Sequence, residues 1–178
     1  EGEWKNGLKS GKGTFKSHRE QFDGDVYVYE GEYKDNKMNG VGTYKCADGR
    51  SYEGELKNGK RHGKGIEKYS DGSVMYDGEW EEGKKHGTGI AKYSDGRVLY
   101  DGEWKDDMWH GKGTRNYISG DVYTGEWHAN RKHGKGVMTY ANGDIYDGQW
   151  KNDRKDGQGK MTTRHNEVPQ WYQRYVQW

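Results

Sequence analysis

Histidine recurs at His62, His86, His110 and His133, and glutamate at Glu55, Glu79, Glu103 and Glu126, so either column could in principle carry chemistry. Four imidazoles form a metal centre only if their nitrogens converge to about 2 Å from one ion. Both columns repeat every 23 or 24 residues. In a regular β array that period separates neighbours by about 10 Å, too far for convergence. The histidines are therefore expected to be structural or turn-stabilising, and the glutamates to form surface ion pairs with lysines. No metal and no paired catalytic carboxylates are expected. Gly11-Lys12-Gly13-Thr14 and Gly111-Lys112-Gly113-Thr114 place Gly between Lys and Thr, which a phosphate-binding loop needs adjacent. No serine sits in a nucleophile-elbow context and no His-Glu-x-x-His occurs, so the chain is read as a non-enzyme without a cofactor.

Two further patterns point to binding rather than catalysis. Basic pairs recur at Lys60-Arg61, Lys84-Lys85, Arg131-Lys132 and Arg154-Lys155. Aligned along one edge, they would attract anionic lipid headgroups or an acidic partner; the plainer alternative is a solvated edge that resists aggregation. Glu81, Glu82, Asp106 and Asp107 interrupt any continuous phosphate track, so nucleic acid is not an expected partner. Met108-Trp109 stands where neighbouring copies carry the basic pair. A tryptophan there is either a protein-binding hot spot or a cap folded back on the sheet.

The composition sets what must hold these residues in place. The chain has 178 residues, with 18 Leu, Ile, Val and Phe together against 15 Tyr and 8 Trp. So few aliphatics with a high net charge would indicate disorder, but the net charge is only +1, and aromatic rings can supply buried area instead. No apolar run approaches the roughly 20 residues of a helical membrane span. One cysteine, Cys46, allows no internal disulfide and fits a reducing, cytoplasmic setting. The first residue is Glu1 rather than Met, so a segment ahead of it is left open.

Internal repetition organises the whole. Copies start near residues 1, 29, 52, 76, 100, 123 and 146, each running Tyr-x-Gly-Glu-aromatic, a polar turn, His-Gly-x-Gly, a tyrosine and Asp-Gly. The first, Glu1-Gly2-Glu3-Trp4, lacks its tyrosine and is followed by an insertion around Ser17 to Asp25. Asn58-Gly59 is a type I′ hairpin dipeptide, and Asp71-Gly72 marks the turn into the next copy. Period-2 spacing puts Tyr52, Gly54 and Leu56 on one face and Glu53 and Glu55 on the other. The glycine is expected to leave room for a ring from the neighbouring hairpin. The predicted fold is all-β: an open, elongated, twisted single-sheet meander of about seven hairpins over residues 1–163. Such a ribbon is on the order of 65–70 Å long.

These strings resemble the MORN (membrane occupation and recognition nexus) repeat. The resemblance rests on Tyr76-Asp77-Gly78-Glu79-Trp80 with His86-Gly87-Thr88-Gly89, and on Tyr123-Thr124-Gly125-Glu126-Trp127 with His133-Gly134-Lys135-Gly136. It implies a scaffold or adaptor at cytoskeletal or membrane-associated sites, ciliary ones included. It also implies, as an alternative, an accessory region of a lipid kinase or lysine methyltransferase; the basic hairpin tips offer a further alternative, a phospholipid-binding targeting module. Leu56 and Tyr33 stand in place of Trp, Gln149 in place of Glu, Asn39 and Asp156 in place of His, and Cys46 in the tyrosine slot of Tyr69, all read as packing variation. The expected protein-binding residues are Met108, Trp109, Trp80, Trp104, Trp127, Trp150, Tyr93, Tyr117 and Tyr140, along one aromatic face.

Residues 164–178 leave the pattern. Asn166-Glu167-Val168-Pro169 is a helix-start signal, and Val168, Trp171, Tyr172, Tyr175 and Trp178 fall on one helical face. A short amphipathic C-terminal helix is expected, either capping the last hairpin or docking on a second copy or a membrane surface.

Overall fold

Every hairpin loop is two residues long, and all of these residues adopt positive φ, from Asn6 (51°) and Gly7 (77°) to Asn152 (49°) and Asp153 (67°). This is the backbone that matches the right-handed twist of the flanking strands. Even Ala129 is held at 48°, a conformation that an alanine adopts only under the constraint of the strands around it. The computed structural model describes residues 1–16 and 26–164. The insertion after the first copy and the C-terminal segment expected to be helical, with Val168, Trp171, Tyr172, Tyr175 and Trp178, lie outside the described residues.

Seven hairpins result: β1 (Gly2–Lys5) with β2 (Leu8–Lys16), β3 (Val26–Lys34) with β4 (Lys37–Cys46), β5 (Ser51–Lys57) with β6 (Lys60–Lys68), and β7 (Val74–Glu81) with β8 (Lys84–Lys92). They continue with β9 (Val98–Lys105) and β10 (Met108–Asn116), β11 (Val122–His128) and β12 (Arg131–Thr139), and β13 (Ile145–Lys151) and β14 (Arg154–Thr162). All 14 strands form one open antiparallel sheet in chain order. Among the described residues, the connections from β4 onward are as regular as the tips. Tyr69 N–H donates to Ser73 O (2.9 Å), Gly72 N–H to Tyr69 O (3.0 Å), and Asp71 accepts from the Ser73 amide (2.8 Å).

One face buries the rings. Tyr29, Tyr52, Tyr76, Tyr100 and Tyr123 are 0–1% exposed. Each ring lies over two glycines paired across its own hairpin, and a Cβ on Gly89 would stand 2.5 Å from Tyr76 Cζ. The covering ring thus comes from the same hairpin, two residues before the first glycine, rather than from the neighbouring one. Lying flat brings each hydroxyl back to the strand, where Tyr76 donates to Glu79 O at 3.0 Å.

Neighbouring hairpins are joined by the tryptophans. Trp80 Nε1–H donates to Gly65 O (3.1 Å), Trp104 to Gly89 O (2.9 Å), Trp127 to Gly113 O (3.1 Å) and Trp150 to Gly136 O (3.0 Å). Each indole meets both its own tyrosine and that of the preceding hairpin edge-on. The run Tyr52, Trp80, Tyr76, Trp104, Tyr100, Trp127, Tyr123, Trp150, Tyr146 has centroid separations of 4.9–5.7 Å and interplanar angles of 81–88°. Such pairs contribute about 0.5–1.5 kcal/mol each beyond area burial, which is how a chain poor in aliphatics closes a core.

Candidate functional site

The His-Gly-x-Gly element makes a bulge. Gly54 pairs Gly65 and Leu56 pairs Arg61, so Glu55 faces His62, Gly63 and Lys64 together. Gly63 takes φ of 55°, and its amide neighbour needs an acceptor. Glu55 supplies it: Lys64 N–H donates to Oε1 at 3.1 Å, Thr88 N–H to Glu79 (3.1 Å), Lys112 N–H to Glu103 (2.8 Å) and Lys135 N–H to Glu126 (3.1 Å). The glutamates are therefore bulge caps, not the lysine ion pairs expected from sequence, because a displaced backbone N–H lies closer than any ammonium. Hydrogen bonds from the Thr88 hydroxyl and amide hold the Glu79 carboxyl below its usual range.

The histidine column is not isolated. His128 places its ring 5.0 Å from His110 and 5.8 Å from His133. Sequence spacing alone did not reveal this neighbour, because His128 lies outside the slot that recurs once per repeat. Even so, among the described residues no group of three His, Cys, Asp or Glu is arranged to hold a metal. Cys46 is half-buried, and burial pushes its thiol up, away from nucleophilic character.

Strand alternation divides the basic pairs. The first members, Lys60, Lys84, Arg131 and Arg154, pair with Lys57, Glu81, His128 and Lys151 at the tips, on the face opposite the rings. Lys60 bonds Glu82 and Lys84 bonds Asp106, each at 3.2 Å, both acids belonging to the next hairpin's turn. The second members lie opposite Leu56 or a tryptophan and cover the rings. Arg61 sits 4.0 Å from the Trp80 centroid, Lys85 5.0 Å from Tyr76, Lys132 4.5 Å from Trp150 and Lys155 4.5 Å from Tyr146. Burial lowers the Lys85 and Lys132 ammonium groups. The single basic edge expected for anionic lipid is thus two separate rows, one of them on the aromatic face.

Expected protein-binding aromatics also separate into two sets. Trp80, Trp104, Trp127 and Trp150 are only 3–6% exposed, spent on the ladder, and offer no ring surface to a partner. Trp109 takes the place of a second-member cation and folds back, stacked on Tyr100 at 5.0 Å and 16°. Trp109, Tyr117 and Tyr140 stay partly exposed while packing against the core, and Met108 is exposed on the tip. Tyr93, also half-buried, donates its hydroxyl to Asn116 O of the next hairpin at 3.2 Å.

Two residues on this face escaped the sequence reading because their slot has no fixed chemistry. Glu67 and Arg115 occupy equivalent positions, filled by Ala91, Met138 and Met161 in other copies. Glu67, 8% exposed, accepts from Arg61 Nη1 at 2.9 Å, with Lys85 Nζ at 3.8 Å on its other oxygen. Arg115 lies between Trp109 (4.6 Å) and Tyr117 (4.2 Å), and its buried Nε has no partner among the described residues.

The tyrosine laid over a glycine pair, the glutamate cap and the interlocking tryptophan recur hairpin after hairpin. The family model for the MORN repeat matches residues 1–18, 29–49, 52–74, 76–96, 100–122, 123–145 and 146–164. The chain belongs to the MORN repeat family. No curated protein matches this MORN chain. Within the MORN signature, tyrosine and glycine close the core, glutamate caps the bulge, and tryptophan links one repeat to the next.

Proposed function

We propose that this chain is a non-catalytic scaffold that recruits a protein partner along the aromatic face of its MORN array, in the cytoplasm at cytoskeletal or membrane-associated structures. The observation that carries this reading is the fringe of Trp109, Tyr117 and Tyr140, half-buried rings left at the margin of a ladder whose other members are closed off. Aromatic rings anchored on a rigid sheet are the anchors that protein interfaces favour. A membrane-binding role through the tips has one supporting observation: Arg131 and Arg154 form no ion pair among the described residues, whereas Lys60 and Lys84 are neutralised. Self-association through residues 164–178 stays a separate proposal.

The test is photo-cross-linking in cells, with benzoylphenylalanine at Tyr117 or Tyr140 on the aromatic face, and at Thr88 or Val41 on the other. Discrete protein adducts from the first pair alone support the scaffold. Lipid adducts or none from that pair, together with binding to anionic vesicles that falls steeply with salt, would favour the membrane reading.

A further inference from the structure

The aromatic face carries its own template for how it holds an acid. In the third and fourth repeats, Arg61 and Lys85 cover successive rings, and the Glu67 carboxylate sits between them, bonded to one and within ion-pair reach of the other. Three repeats further along, Lys132 and Lys155 occupy the positions of Arg61 and Lys85, but the Glu67 position is filled by Met138. Lys132 lies against Trp150, Tyr123 and Tyr117, and Lys155 against Tyr146 and Tyr140. Neither ammonium forms an ion pair among the described residues, and the Arg115 guanidinium shares the Tyr117 ring with Lys132. Burial pushes the Lys132 ammonium down, and the Asp153 carboxylate offsets this only in part. Three cations are thus gathered over the rings of this face without the carboxylate that the equivalent site contains.

We propose that the face formed by β10 to β14 is a carboxylate-binding surface that docks an acidic segment of a protein partner, one Asp or Glu side chain entering between Lys132 and Lys155 above Met138 and beside Arg115. This rests on the scaffold reading and adds the chemistry of the partner. The occupant is an acidic peptide because the rings beside the cations, Tyr117, Tyr140 and Trp109, offer apolar contact for the residues flanking the acid. A charge held over a low-dielectric ring surface interacts more strongly with its partner than the same pair in water. Successive cations on the face recur about every 10 Å, so acids three residues apart in a polyproline II segment, about 9 Å apart on one side of it, match the repeat.

The probe is a fluorescein-labelled decaglutamate peptide, followed by anisotropy at low salt with the intact chain. Binding should fall at least tenfold in K132Q/K155Q, which keeps the aliphatic stems over the rings. It should fall comparably in M138E, which supplies the carboxylate from within the chain. R131Q/R154Q, on the opposite face, should change it less than twofold. Glu67→Met should raise total binding by exposing Arg61 and Lys85 as a second site, a gain that misfolding cannot mimic. Equal loss in R131Q/R154Q, indifference to K132Q/K155Q, or binding only to phosphatidylserine vesicles would each overturn the proposal. Protein cross-links at Tyr117 and Tyr140 alongside such a result would leave the scaffold intact and remove only the acidic partner.

Discussion

Replacing Gly89 with alanine isolates the feature on which the core depends. Gly89 has no positive φ, so in backbone terms alone alanine would be tolerated and even gain about 0.5–1 kcal/mol from the unfolded chain. The obstacle is the Tyr76 ring, whose Cζ would lie 2.5 Å and Cε2 2.7 Å from the new methyl. To admit it the ring must lift, losing the 3.0 Å bond to Glu79 O and the edge contacts to Trp80 and Trp104 at 5.0 and 5.2 Å. One hydrogen bond at about 1 kcal/mol and two ring pairs at about 0.5–1.5 kcal/mol each give a loss of roughly 2–4 kcal/mol. The assay is urea unfolding of Gly89→Ala, Tyr76→Ala and the double variant. With the ring gone, Gly89→Ala should cost about nothing, giving a coupling close to its whole effect in the native background. An equal cost in both backgrounds, or a native-background cost below about 0.5 kcal/mol, would refute the ring-over-glycine packing.

Burial raises the phenols of Tyr29, Tyr52, Tyr76, Tyr100 and Tyr123, so above pH 10 the unfolded chain sheds protons that the folded chain keeps. Stability is then complete below about pH 10 and falls with rising pH by up to about 7 kcal/mol per unit for the five together; phenolate absorbance should appear with unfolding, not before it. Glu79→Ala removes the acceptor for two Thr88 donors and should lower stability by about 1 kcal/mol, with faster exchange of the Thr88 amide. Because the native Glu79 carboxyl titrates low, its contribution holds above pH 4.5 and fades as pH falls through the folded value, a fade absent from Glu79→Ala. Trp109→Ala should cost about 2–3 kcal/mol, whereas Trp109→Lys, restoring the cation of the neighbouring repeats, should cost less than half as much in thermal melts.

Hairpin number, turn type and the facing of Tyr52 against Glu53 were readable because they follow from period and turn chemistry alone. The glutamate column was not, since a bulge is a two-residue change of register that leaves no mark in the periodicity. Seeing Gly63 as a positive-φ position opposite Glu55 requires the pairing. The basic pairs misled for a related reason: adjacent residues on a strand point to opposite faces, so Lys60 and Arg61 were never one patch. Glu67 and Arg115 were invisible because their slot holds Glu, Ala, Arg or Met from the third copy to the seventh, and only the cations packed around it give it meaning.

The most direct measurement is hydrogen exchange at the indole nitrogens, read by NMR. If the tryptophans link successive repeats into one sheet, the Nε1–H protons of Trp80, Trp104, Trp127 and Trp150, each bonded to a glycine carbonyl of the preceding hairpin, should exchange orders of magnitude more slowly than that of Trp4, which is 63% exposed. Exchange of all four as fast as Trp4 would contradict the ladder, and with it the rigid aromatic face on which the binding role depends.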